Sequence, residues 1–301
     1  IMQSRQSLIS IFVNVLKSIE PVLEAEQPDI TILQGDTSTV AAVATACFYK
    51  RMAVAHVEAG LRSFDLQQPF PEEFNRRLVS ISARYNFAPT SGAAENLLKE
   101  GVAADSIHIT GNTIVDMVNI ARSSIQARPF MKKRILITAH RRENHVGGIN
   151  DICQAVKRIL SQRKDVGFVW PVHPSPIVRE VVERELKGLD GVELLEPLGY
   201  FELLQEIQDA YLIWTDSGGI QEECPAFKKP VLILRNVTER PEVVESGFGE
   251  LVATDPGLIV SRTQLLLDDN PEYEKRISGI NPFGDGNAGK RIANILMAEV
   301  Q

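Results

Sequence analysis

Short apolar runs alternate with amphipathic stretches along nearly the whole chain, and that alternation leaves few folds open. Leu8, Ile11, Phe12, Val15, Leu16 and Ile19 recur at helical spacing, so residues 5–26 read as an amphipathic helix. The run Ile30 to Leu33 ends at Gly35-Asp36 and reads as a buried strand feeding a turn. A small, apolar helix is expected over 39–49, a strand over 52–57, a helix from Pro71 with Phe74, Leu78 and Ile81 on one face, a strand over 85–88, a helix over 93–100 and a strand over 107–110. After a polar stretch at 122–133, read as the linker, the pattern restarts. Strands are expected at 134–139, 166–172, 192–196, 210–214, 231–235 and 250–253, with helices between them and a final helix over 289–300. Repeated strand–helix alternation implies doubly wound parallel sheets with right-handed crossovers.

A length of 301 residues suits two such domains better than one. The first half opens on a helix and offers about four strands, whereas a doubly wound sheet normally starts from a central strand. Together with Ile1 at the start, this gives the expectation that the first strand of the N-terminal domain is missing. The domains are drawn as 1–120, joined by a C-terminal helix over 286–301, and 121–285.

Net charge is −7, which argues against a nucleic-acid or anionic-membrane partner. Three cysteines, Cys47, Cys153 and Cys224, lie far apart without metal-ligand or disulfide spacing. With no signal peptide or spanning segment, the reading is a cytoplasmic protein without a metal.

Ligands of doubly wound sheets sit beyond the carboxyl ends of the strands. Asp36, Glu58, Asn112, His140 and Asp216-Ser217 fall at such ends. Asp36 suits either a base or a helix N-cap. Glu58, after an apolar strand and before Ala59-Gly60, is either a reactive acid or a solvated loop acid. Glu72 is either reactive or a first-turn acid complementing the helix dipole. His140, beside Arg141 and Arg142, suits a phosphate leaving group, with a solvated turn as the alternative. In Thr215-Asp-Ser-Gly-Gly-Ile-Gln-Glu-Glu223 a strand runs into two glycines and a short helix. Gly218 and Gly219 allow close backbone approach, the helix start binds phosphate, Ser217 adds a hydroxyl, and Glu223 can accept from a ribose diol. Arg240 either charges a diphosphate or pairs with a neighbouring glutamate. His108 and His145 read as structural and solvated. His173 follows a strand and points to the rim.

Taken in order, these segments resemble the non-hydrolysing UDP-N-acetylglucosamine 2-epimerases. The resemblance runs from about Gln6 to the C-terminus through Gln34-Gly-Asp-Thr37, His56-Val-Glu-Ala-Gly-Leu-Arg-Ser63, Pro71-Glu-Glu-Phe-Asn-Arg76, Gly111-Asn-Thr113, Thr138-Ala-His-Arg-Arg-Glu-Asn144, Pro171-Val-His173, Asp216-Ser-Gly-Gly-Ile-Gln-Glu-Glu223, Thr238-Glu-Arg-Pro-Glu242 and Asn281-Pro-Phe-Gly-Asp-Gly286. It implies a GT-B-like pair of Rossmann-like domains around a cleft, with UDP held mainly by the second. It also implies interconversion of UDP-GlcNAc and UDP-ManNAc through a 2-acetamidoglucal, without cofactor or metal, by a homodimer. Under that resemblance Asp36, Glu58 and Glu72 are the catalytic carboxylates, base and acid unassigned. His140 then assists UDP departure, and Ser217, Gly218, Gly219, Glu223 and Arg240 hold the nucleotide.

Three departures stand out. The family's opening Gly-Thr-Arg-Pro-Glu segment has no counterpart, so poor UDP binding is expected of the chain as it stands. Leu203 stands where members place an aromatic near the uracil. The stretch after His173, a second-site histidine in bacterial members, reads Pro174-Ser-Pro176. The rival readings are a hydrolysing epimerase, a diacetamido-uronate epimerase, a GT-B glycosyltransferase and a nucleotide-binding module without activity.

Overall fold

A computed structural model describes residues 6–126, 128–141, 144–145 and 147–299. Arg142 and Glu143 of the 140–144 motif lie outside the described residues, as do the expected helix residues Arg5 and Val300. In chain order the elements are α1 (Leu8–Glu26), β1 (Ile30–Gln34), α2 (Ser38–Tyr49), β2 (Ala53–Val57), α3 (Glu72–Ser82), β3 (Tyr85–Ala88), α4 (Ser91–Lys99), β4 (Ile107–Ile109) and α5 (Thr113–Arg122). There follow β5 (Lys133–Thr138), α6 (Gly148–Gln162), β6 (Val166–Pro171), α7 (Pro176–Leu186), β7 (Val192–Leu195), α8 (Tyr200–Asp209), β8 (Leu212–Thr215) and α9 (Gly218–Ala226). The chain continues through β9 (Val231–Ile233), α10 (Pro241–Glu245), β10 (Gly249–Leu251), α11 (Pro256–Asp268), α12 (Asn270–Ile277) and α13 (Ala288–Glu299). The chain divides into two units, Ile1–Asp116 with Phe283–Gln301, and Met117–Pro282, so the division falls inside α5.

The first unit carries a parallel sheet in the order β1-β2-β3-β4. Its strands alternate faces, as the two-residue period requires. Val54 packs with Val15, Leu23, Ala42 and Cys47 of α1 and α2. Ala55 and Val57 pack on the other side with Tyr85, Phe87, Ile292 and Leu296, so α13 covers the second face. α2 is apolar nearly all round because it lies in the middle of its layer. Ala42, Val43 and Cys47 join the α1 cluster, and Val40, Ala41 and Ala44 pack with Val79 of α3.

One expectation fails in α3. Of Phe74, Leu78 and Ile81, read as one face, Phe74 and Ile81 are exposed, at 52% and 82%, and only Leu78 packs, half-buried, on the core. The buried face carries Glu73, Asn75, Arg76, Val79 and Ser80. Hydrogen bonds join the apolar packing of Val79 and Leu78 on α2 in setting that helix's orientation, as the site shows below.

The second unit carries six parallel strands in the order β10-β9-β8-β5-β6-β7. β5 is its first strand, and β6 and β8 diverge to opposite sides of it. This is the strand-order reversal of a doubly wound sheet. Its central strands read as continuous apolar runs because both faces are covered. Ile135, Ile137, Phe168, Trp170, Leu212 and Trp214 share one core with Ile149, Ile152, Cys153, Val156 and Ile159 of α6. The Phe168 and Trp214 rings meet edge-on at 5.2 Å, a favoured aromatic geometry. Among the described residues no helix is long and apolar enough to cross a membrane.

Candidate active site

In the first unit the polar strand ends gather around the amino end of α3. Asp36 follows β1, and its carboxylate accepts from Arg76 Nη2 at 2.5 Å while its backbone carbonyl accepts from Asn75 Nδ2 at 2.8 Å. Asp36 does not cap α2. Thr37 does, accepting from the Val40 amide, which leaves the Asp36 side chain on the strand-end surface. Beside it, His56 is fully buried on β2, opposite Leu33 in register. Burial drives its pKa down to about 4, although the Gly35 carbonyl beside it works the other way. A carbonyl can only accept, so the neutral ring donates from Nε2 to Gly35 O at 2.9 Å. That bond fixes the turn carrying Asp36.

Glu58 is the first residue past β2 and is half-buried. Its φ is +68°, a left-handed conformation uncommon outside glycine and often found at functional sites. The loop it opens is pinned from two sides. Glu73, fully buried on α3, accepts from the Ser63 and Phe64 amides at 3.0 and 3.2 Å. Arg62, also buried, donates to Glu100 at the end of α4, to Ser80 Oγ and to the Leu61 carbonyl. Gly60 lies so close to α4 that a Cβ there would sit 2.2 Å from the Ala93 carbonyl oxygen. Glu72, first residue of α3, lies one helical turn from the Arg76 that binds Asp36. Asp36 and Glu72 therefore border one helix end, and the loop that Glu58 opens is tied to the same helix. Glu73 and Arg76, which hold them there, were not singled out. Their only signal was burial-prone spacing on a helix whose apolar stripe pointed elsewhere.

In the second unit the site lies where strand order reverses, between β5 and β8. Thr138 and Thr215 face each other in register there, their hydroxyls 2.6 Å apart. Asp216, fully buried beyond β8, accepts from the His140 and Arg141 amides and from Asn144 Nδ2, each at 2.9 Å. This folds the turn after β5 over the end of β8. His140 keeps a 42% exposed ring, stacked on His173 with centroids 5.5 Å apart and planes 18° apart. The His173 pKa is lowered by burial and then by the nearby His140 and His145. His145 is placed through Nε2, 3.0 Å from the His140 carbonyl. His108 packs in the first unit, stacked on Tyr85 and tilted against Phe87.

A recess of about 280 Å³ opens at this point, lined by His140, His173, Leu203, Ser217, Gly219 and Glu223 among others. Ser217 stands at the N-cap of α9 without a side-chain cap bond, so the helix's first amides face a site suited to an anion. His173 thus lines the same recess as His140. A larger recess of about 430 Å³ lies at the amino ends of β5 to β7, around Phe130, Arg134 and Asp190. Ligands of this sheet type bind at the opposite, carboxyl ends.

Glu223 is buried on α9, and its pKa is raised to about 7 by that burial, while a hydrogen bond from Tyr200 pulls it down. Tyr200 was not anticipated from sequence; it starts α8, more than twenty positions upstream. Arg240 follows the ion-pair alternative, but buried rather than at the surface. It donates to Glu222 at 2.8 Å and Glu239 at 2.6 Å. Burial alone would raise the Glu239 pKa, but Arg240, Arg235 and Arg141 outweigh it and hold the carboxyl well below the usual range. Gly218 makes room for this network, since a Cβ there would lie 2.7 Å from Arg240 Cζ. Gly219 has open space beside it. Among the described residues no cluster of His, Cys, Asp and Glu is arranged to hold a metal ion.

A family model described as UDP-N-acetylglucosamine 2-epimerase matches residues 1–297. The chain belongs to this family. The Escherichia coli K12 relative of that name is 43% identical over 310 residues, covering 98% of this chain and 82% of the relative. The Yersinia pestis relative of the same name is also 43% identical, with the same coverage. Among solved structures, the Neisseria meningitidis enzyme bound to UDP-GlcNAc superimposes with a TM-score of 0.95 at 40% identity, covering 99% of this chain and 84% of that one. The S. aureus MnaA–UDP co-structure gives 0.94 at 41% identity, covering 98% and 82%. The family's pair of parallel-sheet domains is the architecture found here.

Proposed function

We propose that this chain interconverts UDP-GlcNAc and UDP-ManNAc by eliminating UDP across C1–C2 and adding it back to a 2-acetamidoglucal. The observation that carries the reading is the recess at the β5/β8 switch point, where His140, the α9 amides and Glu223 converge. In this reading the pyrophosphate lies against Ser217, Gly218 and Gly219, the ribose diol meets Glu223, and Leu203 borders the base. Arg240 acts from below Gly218, fixing the α9 end through its two glutamates.

The C2 proton is weakly acidic, so cleavage of the C1–O bond must run ahead of its removal. The ring then gains cationic character that carboxylates stabilise. Asp36, Glu58 and Glu72 are assigned this work. One accepts the C2 proton as the electron pair forms C1=C2 and the C1–O bond breaks toward UDP. For epimerisation, C2 is then protonated from the opposite face as UDP returns to C1. His140 stabilises the departing diphosphate. The working assembly is proposed to be a homodimer.

Incubation with UDP-GlcNAc in deuterated water, followed by NMR, tests this. The expected product is UDP-ManNAc with deuterium at C2, and His140→Asn is expected to abolish that exchange. Release of free ManNAc and UDP would mean a hydrolase instead. UDP binding with no exchange would mean a nucleotide-binding module.

A further inference from the structure

The Asp216 carboxylate uses its two oxygens differently. Oδ2 is saturated by the His140 amide, the Arg141 amide and Asn144 Nδ2. Oδ1 is buried, accepts no hydrogen bond from any described residue, and lies 3.3 Å from His140 Nδ1. A buried carboxylate oxygen without a donor is costly, and the imidazole is the group placed to relieve it. The separation is long for a hydrogen bond, as such bonds often are before substrate tightens a site. Stacking on His173 restricts the ring plane at the same time.

We propose that Asp216 is a positioning residue that holds the His140 imidazole with its hydrogen on Nδ1, leaving Nε2 to serve the recess. This rests on the role given to His140 above. Asp216 touches no reacting atom. Its effect is that Nδ1 keeps its hydrogen in both protonation states of the ring, so only Nε2 gains or loses a proton near the leaving oxygen. The same side chain ties the 139–144 turn to β8, so the turn that carries the histidine and the group that orients it form one unit.

The test uses protein labelled with 15N-histidine, whose five histidines are few enough to resolve. His140 is assigned by the signal missing in His140→Asn, and long-range 1H–15N correlations read its neutral tautomer. The expected result is a protonated Nδ1 in the parent and a protonated Nε2 in Asp216→Asn. There the amide oxygen still accepts from the turn while the NH2 group faces Nδ1. Exchange at C2 should fall by up to the order of 10⁴-fold, the loss a wrong imidazole tautomer causes in serine proteases, with UDP affinity kept. A parent ring protonated on Nε2, or one tautomer shared by both proteins, would overturn the proposal. The parent spectrum alone decides if Asp216→Asn does not fold. Tautomer inversion in a protein that never exchanges C2 would support the positioning role and overturn the epimerase reading.

Discussion

The two units bring polar groups to strand ends by different means. In the second, topology does it: β6 and β8 leave β5 in opposite directions, and their loops part to leave a recess. The first sheet runs in the order β1-β2-β3-β4 among the described residues. There, buried polar side chains do the placing. Glu73, Arg76 and Arg62 reach from α3 and the β2 loop to fix Asp36 and the loop that Glu58 opens. A recess made by strand order suits a nucleotide, which needs space and amides. An acid clamped by an ion pair, as Asp36 is by Arg76, suits proton transfer, which needs fixed geometry.

The contrast yields graded tests. Arg240→Met should cost the second unit roughly 3–5 kcal/mol, because it leaves Glu222 buried without its cation, while Glu239 keeps Arg235 and Arg141. Urea unfolding measures it, and a loss below about 1 kcal/mol would mean the pair behaves as an exposed one. In the first unit, Gly60→Ala should cost about 1–3 kcal/mol, since its Cβ meets the Ala93 carbonyl and φ is +87°. Hydrogen exchange should show loosening around α4 with the second unit unchanged.

The effects of pH accrue gradually, and their signs are opposite. Burial lowers the His56 pKa from 6.5 to about 4, so across that window the unfolded chain holds the proton and the folded one does not. Its contribution is present above 6.5 and is lost as pH falls toward 4. Burial raises Glu223 from 4.5 to about 7, so there the folded state holds the extra proton and stability falls as pH rises through that window. Neither slope should exceed about 1.4 kcal/mol per pH unit. Hydrogen exchange resolved by unit should show each slope flattened in His56→Gln and Glu223→Gln respectively. Parallel slopes in the two units would break the comparison.

Much of this was legible in the chain because strand ends are local features. Apolar runs stop at Gln34, Val57, Thr138 and Thr215, and the next residues open the candidate site. What stayed hidden depends on contacts distant in sequence. Nothing around Phe74 and Ile81 reveals that α3 turns its polar side inward, because the partners are Asp36 and the Ser63–Phe64 amides. Thr37 displaced Asp36 as the cap, a choice between adjacent residues of similar propensity. Tyr200 meets Glu223, and Arg240 meets Glu222, only once β8 and β9 are laid beside β5.

The division of labour between the units is the central claim, and Glu58→Gln tests it most directly when UDP titration and C2 deuterium exchange are run on the same sample. The account predicts UDP affinity within about twofold of the parent, as for independent sites, and exchange reduced by about 10²–10⁴-fold. Exchange retained at the parent rate, or lost only in proportion to weakened UDP binding, would contradict it.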